Sequence, residues 1–460
     1  MPNRWLAVAL AALLMTGVAP AAPQEKPEKP APKGKSEKPE KPAKEAKEAP
    51  KPDEPGDGAL REAALKLNAI TSADAMKAKL TELYKDKDAA KQLVRVAAKA
   101  LKDGGAKEPP FKYNAAIVLG NLAILVKDWE AAEGFYTFCF DNAEKLQSGK
   151  KMLESYKVLV EVLNERKKFD KAEELTKRVL DGGGKEAEEQ QGAIMEKLIL
   201  TLAKGGNTDE AIDKVDSLIA AMDGEKERKD KFLWYLVKLK AEVYREGNKL
   251  DEAITQYLEA IAKVRAAKAF KKDEREAEAR AMEYTLTGVY VDNKQVDKSV
   301  ALLEKLMKAN PESSTFYNDL GYVLADNGQR LDEAETMVRK AMTLDAELRK
   351  KLLDDGSITE EIAKLENSAY LDSLGWVLFK RGKYEEAYKY LDKASQDPEE
   401  GNHIEIWDHV ADCLVKLDKK KEAVAVWTKA LKLEDASKRD TERRKKVETK
   451  LKTVQAELAK

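Results

Sequence analysis

One spacing of small and large residues recurs from about residue 113 onward, and it constrains the fold more than any other feature of the sequence. A small residue has a large apolar residue four positions before it and another three positions after it. A second small residue follows twelve positions later, then a large residue four beyond it and a third small residue three further on. One complete copy surrounds Ala411, with members at Trp407, Val410, Leu414, Ala423, Trp427 and Ala430.

Eight copies of this spacing can be read along the chain. The clear copies are anchored on the small residues Gly120, Ala241, Gly321, Gly375 and Ala411. The copy at Gly321 has one extra residue in its turn, whereas a copy at Gly288 has one residue fewer. Two weaker copies end in Ala172 and Ala211.

This spacing is typical of two antiparallel helices in close contact. Small residues on facing ridges allow the backbones to approach, and the large residues three and four positions away fill the flanking grooves. The turn between the helices is polar and contains glycine or lysine, as in KRGKYEEA and REGNKLDEA. Because one such pair cannot bury both of its faces, each pair is predicted to stack on the next.

These residues resemble the tetratricopeptide repeat, whose pattern has Trp, Leu-Gly, Tyr, Ala, Phe, Ala and Pro at these offsets. The resemblance covers about residues 113–433 and is strongest in the three C-terminal copies. It implies an all-α fold, an α-solenoid in which antiparallel helix pairs form a right-handed superhelix. The intervals between anchors run from 33 to 54 residues, whereas the family repeat is about 34. We attribute the excess to helical inserts at residues 262–280 and 347–366. A HEAT or armadillo solenoid is the alternative, but its longer helices would lack the small-residue anchors.

The distribution of proline separates a leader from this helical body. Eleven of the 15 prolines lie before residue 56, and an interior proline costs a helix about 3 kcal/mol. Residues 1–21 have the pattern of a signal peptide, with Arg4, an apolar stretch from Trp5 to Met15 and a small-residue cleavage site ending at Ala21. Residues 22–58 repeat Lys, Glu, Pro and Ala and are predicted to be a disordered, extended linker.

Two helical caps are predicted to flank the repeats. Residues 59–112 have helical periodicity without the anchor spacing, which favours an N-terminal helical cap. Residues 434–460 are predicted to form a C-terminal capping helix with an apolar stripe at Val447, Leu451, Val454 and Leu458. The same stretch is locally basic, but no aromatic residues are interleaved with its cations, so nucleic-acid binding is not expected.

The sequence contains no recognisable catalytic, metal or cofactor motif. Its two histidines, His403 and His409, are six positions apart and lack the one-turn spacing of a zinc site. No nucleophile is placed beside either histidine by a known motif. Cys139 and Cys413 fall in distant repeats, so we expect two free, buried thiols rather than a disulfide. We therefore expect no enzyme activity, no metal and no cofactor.

A partner is expected to bind on the concave surface formed by the first helices of the pairs. The resemblance implies that the positions one after and three before each first-helix anchor face this groove. In the last three repeats, with one further aromatic residue, they are Asn318, Tyr322, Asp372, Trp376, Phe379, Asp408 and Asp412. Aromatic and acidic side chains suit an extended peptide with basic or apolar residues. The alternative is that Trp376 and Tyr322 only pack between adjacent repeats.

These features predict an exported scaffold, periplasmic or secreted, that binds protein or peptide partners. The chain has 83 Lys and Arg against 84 Asp and Glu, which leaves no global charge to attract nucleic acid or a membrane surface. After cleavage of the signal, no integral membrane segment is expected. Two alternatives remain: a structural or assembly factor that associates with cell wall or outer envelope through the linker, and an enzyme of unrecognised type.

Overall fold

Helices joined by tight turns make up the part of the chain that this computed structural model describes, residues 56–104, 109–397, 400–433 and 437–459. No strand occurs in these residues, so the prediction of an all-α fold is confirmed for them. The chain divides into an N-terminal unit, residues 1–215, and a C-terminal unit, residues 216–460. The predicted signal peptide and almost all of the predicted linker lie outside the described residues.

The N-terminal unit begins with three helices that precede the repeats. They are α1 (Asp57–Lys66), α2 (Ala73–Leu83) and α3 (Lys87–Gly104). Two helix pairs follow, α4 (Tyr113–Leu125) with α5 (Trp129–Lys145) and α6 (Gly149–Glu165) with α7 (Phe169–Gly182). A short helix α8 (Gly184–Glu189) leads to α9 (Gln191–Lys204), and α10 (Thr208–Ala220) crosses the boundary between the units. Buried residues of α3 share one apolar core with the first pairs.

The C-terminal unit contains five helix pairs and a final long helix. The pairs are α11 (Lys226–Glu246) with α12 (Leu250–Ala266), α13 (Lys272–Asp292) with α14 (Val296–Ala309), α15 (Ser314–Asp326) with α16 (Leu331–Asp354), α18 (Ser368–Lys380) with α19 (Tyr384–Ser395), and α20 (Ile404–Lys416) with α21 (Lys420–Ala430). The short α17 (Glu360–Ala363) follows α16, and α22 (Lys438–Leu458) ends the unit. Each helix from α11 to α16 packs against the next, and the sequence continues through α18 to α22. This stacking of pairs is an α-solenoid.

The turns inside the pairs share one backbone geometry. In each, one residue after the first helix has positive φ, and the next N–H donates a hydrogen bond of 2.8–3.0 Å to a carbonyl five residues earlier. This is the Schellman arrangement that ends helices. The positive-φ residues are Lys127, Lys167, Gly206, Asn248, Lys294, Gly328, Gly382 and Asp418. The extra residue predicted in the Gly321 repeat is accommodated by Arg330, which also has positive φ.

The small anchor residues are small because the paired helices touch there. A Cβ on Gly120 would lie 2.8 Å from Cε2 of Tyr136. A Cβ on Gly321 would lie 2.6 Å from Cγ2 of Val338, and one on Gly375 would lie 2.6 Å from Cγ of Leu391. All three separations are shorter than real contacts allow, so glycine sets how closely these pairs pack.

One predicted anchor is wrong by a single residue. Gly288 does not face α14, because a Cβ built on it would meet only Nη2 of Arg439, at 3.7 Å. The anchor of this pair is Thr287, which is buried and lies twelve positions before the buried Ser299. With Thr287 as anchor the second small residue follows at the full twelve positions, and Gly288 is turned about 100° around the helix from the anchor.

The two predicted inserts lengthen existing helices more than they add new ones. The first extends the end of α12 and the start of α13, with residues 267–271 between them. Asp230 of α11 holds this link, since its carboxylate accepts hydrogen bonds from the N–H groups of Lys268 and Ala269. The second extends α16 to Asp354 and adds only the four-residue α17.

The terminal helix α22 carries the predicted apolar stripe along only part of its length. Val447 and Val454 are buried and Leu451 is partly buried, but Leu458 is exposed, which contradicts that part of the prediction. A helix of 21 residues is about 31 Å long, whereas the 11-residue α21 beneath it is about 16 Å long. The last turn of α22 therefore extends past the helix that would cover it.

Both cysteines are free and buried, as predicted, and they lie in different units. Burial raises the pKa of the Cys413 thiol to about 12. None of the helices in the described part of the chain combines the length and the apolar composition of a membrane span.

Candidate functional site

The first helices of the last four pairs, α13, α15, α18 and α20, place a set of polar and aromatic side chains together in the C-terminal unit. We call this set the inner wall. It consists of the positions one after and three before each anchor, with five further residues of the same helices. The anchor-related residues are Tyr284 and Gly288, Asn318 and Tyr322, Asp372 and Trp376, and Asp408 and Asp412; the further ones are Asp292, Asp326, Phe379, Glu405 and His409. Positions separated by four residues share one face of a helix. Helix α15 packs on α18, and α18 on α20, so the faces are neighbours.

Aromatic rings form the centre of the inner wall. The ring of Trp376 stacks on His409 of α20, with centroids 4.0 Å apart and planes 11° from parallel. Phe379 stacks beside the same Trp376 ring at 4.9 Å. Trp376 Nε1 also donates a hydrogen bond of 3.1 Å to Asp326 of α15. Trp376 is therefore buried between the preceding and following repeats and joins three first helices.

His409 is the buried polar group at this centre. Its Nδ1 lies 2.9 Å from Oδ1 of Asp372, and its Nε2 lies 3.3 Å from Nη1 of Arg443. Burial acts to lower the pKa of His409, but the neighbouring carboxylate of Asp372 outweighs it and raises the pKa above its ordinary value. Arg443 acts in the opposite direction from Asp372.

Tyr322 connects α15 to α20, which lies two pairs further along the chain. Its hydroxyl donates a hydrogen bond of 2.6 Å to Oε1 of Glu405. Burial and the Glu405 carboxylate raise the pKa of Tyr322 well above its ordinary value, so the hydroxyl remains a donor. Burial opposes ionisation of Glu405, yet Arg443 and the Tyr322 hydroxyl hold the pKa of Glu405 below its ordinary value.

Two carboxylates at the end of the inner wall are paired with cations from α22. Asp408, which is almost fully buried, accepts hydrogen bonds from Trp427 Nε1 at 2.9 Å and from Arg443 Nη1 at 3.2 Å. Lys450 lies 2.8 Å from Asp408 and 2.6 Å from Asp412. Burial and the charge of Asp408 raise the pKa of Asp412. A buried carboxylate needs such partners, because an unpaired one is strongly unfavourable.

The other end of the inner wall receives a further cation of α22. Arg439 Nε lies 2.7 Å from Asp292 of α13, and its Nη2 donates to the carbonyl oxygen of Gly288 at 3.2 Å. Gly288 occupies the wall position that Tyr322, Trp376 and Asp412 occupy in later repeats, and its lack of a side chain leaves room for this guanidinium. The α22 contacts therefore run from α13 to α20.

Asn318 is the predicted site residue with an unsatisfied polar atom. Its Nδ2 donates to Asp319 at 3.3 Å, while its Oδ1 is buried and has no hydrogen-bond partner among the described residues. It lies one turn before Tyr322, on the same face of α15. This amide oxygen is free to accept a hydrogen bond.

The structure brings all seven predicted residues onto neighbouring first helices. Most of them already form hydrogen bonds or ring contacts with other side chains of the unit. Trp376, Asp372 and Asp408 are buried, and their polar atoms are paired. The alternative, that these side chains pack between adjacent repeats, therefore fits Trp376 and most of the Tyr322 side chain. Phe379 and Asp412 remain partly exposed.

The sequence interpretation missed the groups that complete the site, His409, Glu405, Arg439, Arg443 and Lys450. His409 and Glu405 lie outside the two positions that the resemblance pointed to. The cations were assigned to a cap, although a basic helix next to an acidic wall in the same chain was a signal of charge complementarity. No group of acidic, histidine and cysteine side chains in the described part of the chain has the arrangement of a metal site.

Two family models match this part of the chain. Residues 289–347 match a model described as tetratricopeptide repeat. Residues 327–430 match one described as anaphase-promoting complex, cyclosome, subunit 3. Together the matches span the pairs that build the inner wall, from the end of α13 to the end of α21.

The chain contains tetratricopeptide repeats. Solved structures of other proteins are similar to it at low identity. A tetratricopeptide repeat protein from Parabacteroides merdae is 14% identical over 63% of this chain and 95% of its own, with a TM-score of 0.40. YrrB, described as having an unusual peptide-binding site, is 18% identical over 50% of this chain and 99% of its own, with a TM-score of 0.29. MamA is 17% identical over 44% and 91% of the two chains, with a TM-score of 0.29.

No curated protein matches this tetratricopeptide repeat protein. The repeat fold is a scaffold for protein–protein interactions, because stacked pairs create an extended surface without requiring an enclosed active site. The inner wall lies on the helices that form such a surface.

Proposed function

We propose that this tetratricopeptide repeat protein is an exported, non-catalytic scaffold that binds a peptide segment of a partner protein on its inner wall. The observation that carries the proposal is the chemistry of that wall. Six carboxylates from four successive first helices lie on it together with Tyr322, Trp376 and Phe379; they are Asp292, Asp326, Asp372, Glu405, Asp408 and Asp412. Acidic groups select cationic segments, and aromatic rings provide contact area for their aliphatic portions.

Export is the second part of the proposal and is supported by residues 1–21. The apolar stretch from Trp5 to Val18 is shorter than the ~20 residues that span a bilayer, and a small-residue cleavage site follows it. In this proposal the Lys/Glu/Pro-rich residues 22–58 are a spacer between the repeats and the point at which the N-terminus is attached. An association of this segment with the cell wall is the alternative. Sedimentation with purified wall tests it, because loss of binding on deletion of residues 22–58 favours the alternative.

The wall is best tested at a more exposed carboxylate, since replacing Trp376 or Asp408 would disturb the packing between repeats. We expect Asp326→Asn, at a carboxylate that pairs with Trp376 and not with α22, to reduce capture of a crosslinked partner from envelope extract by at least fivefold. The asparagine at 326 keeps an oxygen to accept from Trp376 Nε1, so the fold is preserved while one charge is lost. The measurement is quantitative mass spectrometry of the captured proteins.

The matched control is Glu347→Gln, which removes one carboxylate from an exposed position on the second helix α16. We expect this control to retain the partner. Equal capture by the wall variant and by the control would refute the assignment of binding to the inner wall. Circular dichroism of both variants verifies that helicity is unchanged.

A further inference from the structure

We propose that α22 is an internal occupant of the inner wall and that the partner segment is a basic amphipathic helix that takes its place. This inference rests on the proposed function, because it names the chemistry of the segment that the same wall binds. It also assigns the wall a closed state, in which α22 is docked, and an open state, in which it is displaced.

The contacts of α22 are those expected of a ligand on an acidic surface. Three of its cations, Arg439, Arg443 and Lys450, meet carboxylates that belong to α13 and α20. Arg443 contributes most: it pairs with both Glu405 and Asp408 and approaches Nε2 of His409. One guanidinium therefore contacts three side chains of the wall.

The spacing of these cations defines a recognisable pattern. Arg443 and Lys450 follow Arg439 by four and eleven residues. On a helix with 3.6 residues per turn these intervals correspond to rotations of about 40° and 20° from Arg439. The three cations therefore lie on one narrow face and extend over roughly three turns. A partner helix with cations at the same intervals can satisfy the same carboxylates.

Burial of the carboxylates explains why the occupant must be cationic. Asp408 has 1% of its side chain exposed and Asp412 has 18%, so leaving them without cations is unfavourable. A segment that displaces α22 must return positive charge to the same places. Neutral or acidic helices lack this property and are excluded by the wall.

The remaining contacts of α22 show how it is retained. Val447 and Val454 belong to the same apolar core as Leu414 and Trp427. Asp440 lies 3.4 Å from His403, at the start of α20. An internal segment held in this way competes with a partner, since only molecules in which α22 has left the inner wall are able to bind the partner.

The test uses a fluorescent peptide with the sequence of residues 437–459, titrated into the full chain and followed by anisotropy. The chain variant is Arg439→Ser/Arg443→Ser, which weakens α22 docking while keeping Val447 and Val454. We expect the variant to bind the peptide at least tenfold more tightly than the wild type. Adding Glu405→Gln to the variant is expected to reverse most of this gain, because Glu405 then cannot pair with the Arg443 equivalent of the peptide.

The matched control is Lys445→Ser/Lys446→Ser, which removes two charges from exposed positions of the same helix. It is expected to bind the peptide as weakly as the wild type does. The side chain of Arg439 is 62% exposed, so a single Arg439→Ser variant perturbs folding least. It is expected to bind the peptide two- to threefold more tightly than the wild type. Helicity of every variant is measured by circular dichroism.

Equal peptide affinity for the wild type and both arginine variants would overturn the inference, as would an equal gain in the lysine control. That failure differs from failure of the proposed function. If the peptide result holds but no partner is captured through Asp326, the internal occupant stands and the partner proposal falls. If a partner is captured and the peptide never binds, the partner proposal stands and the proposal of an internal occupant falls.

Discussion

At the scale of single residues, the function of a small side chain depends on which side of its helix it lies. Gly375 and Gly321 lie where two helices touch, with no room for a Cβ. Gly288 lies on the inner wall, with its nearest possible contact at 3.7 Å. The same residue type thus sets helix separation in two repeats and admits a guanidinium in a third.

This difference predicts opposite effects for one chemical change. Gly375→Ala is expected to destabilise the C-terminal unit by about 1–3 kcal/mol, because the new Cβ would overlap the Leu391 side chain. Gly288→Ala is expected to stabilise it by about 0.5–1 kcal/mol, since alanine is favoured over glycine inside a helix and its methyl group fits. Urea unfolding followed by circular dichroism measures both, and a loss of stability in Gly288→Ala would show that the anchor assignment is mistaken.

Residue-scale features also mark the limit of what the sequence predicts. The anchors and turns were predictable because their spacing is local, with both helices of a pair within about 30 residues. Contacts such as Arg439 with Asp292 join positions 147 apart, and no periodicity reports them. The position of Gly288 was mispredicted because glycine is the commonest anchor here, whereas threonine takes that place at residue 287. His409 was not predicted as a site residue because its spacing from His403 fits neither a metal site nor a known catalytic motif.

At the scale of elements, α22 and the inner wall are coupled through His409. The groups facing its ring are Asp372 on α18, Glu405 and Asp412 on α20, Tyr322 on α15 and Arg443 on α22. Arg443 lowers the pKa of His409. Linkage is reciprocal, so a proton on His409 must weaken the docking of Arg443 by the same free energy.

The resulting pH dependence has a definite sign. The pKa of His409 is raised above its ordinary value of about 6.5, so docking of α22 weakens as the pH falls through that raised value. Glu405 acts in the same direction at lower pH, because Arg443 holds the pKa of this carboxyl below its ordinary value. We expect the amides of residues 440–446 to lose exchange protection between pH 8.5 and 6, after correction for intrinsic rates. Replacing His409 with Gln should flatten this change, and protection that is constant in the wild type would argue against the coupling.

At the scale of the whole molecule, the predicted leader and linker are the basis of the proposal that the repeats act after crossing a membrane. If export occurs as proposed, a C-terminally tagged chain will be recovered outside the cytoplasm. Its mass will be reduced by residues 1–21, with the new N-terminus after Ala21. Arg4→Glu combined with Leu13→Arg is expected to retain the chain inside, because it removes the positive start and interrupts the apolar stretch. Recovery of the full-length wild-type chain in the cytoplasm would contradict export.

The neighbouring positions 287 and 288 have a wider consequence. Thr287 is buried within its helix pair, whereas Gly288, one residue on, is presented on the inner wall. Residues that hold a pair together and residues that a partner would meet are thus separate positions of one helix, so the second set can be exchanged without altering the first. Engineered scaffolds of this kind could be retargeted by such exchanges while their stacking is kept.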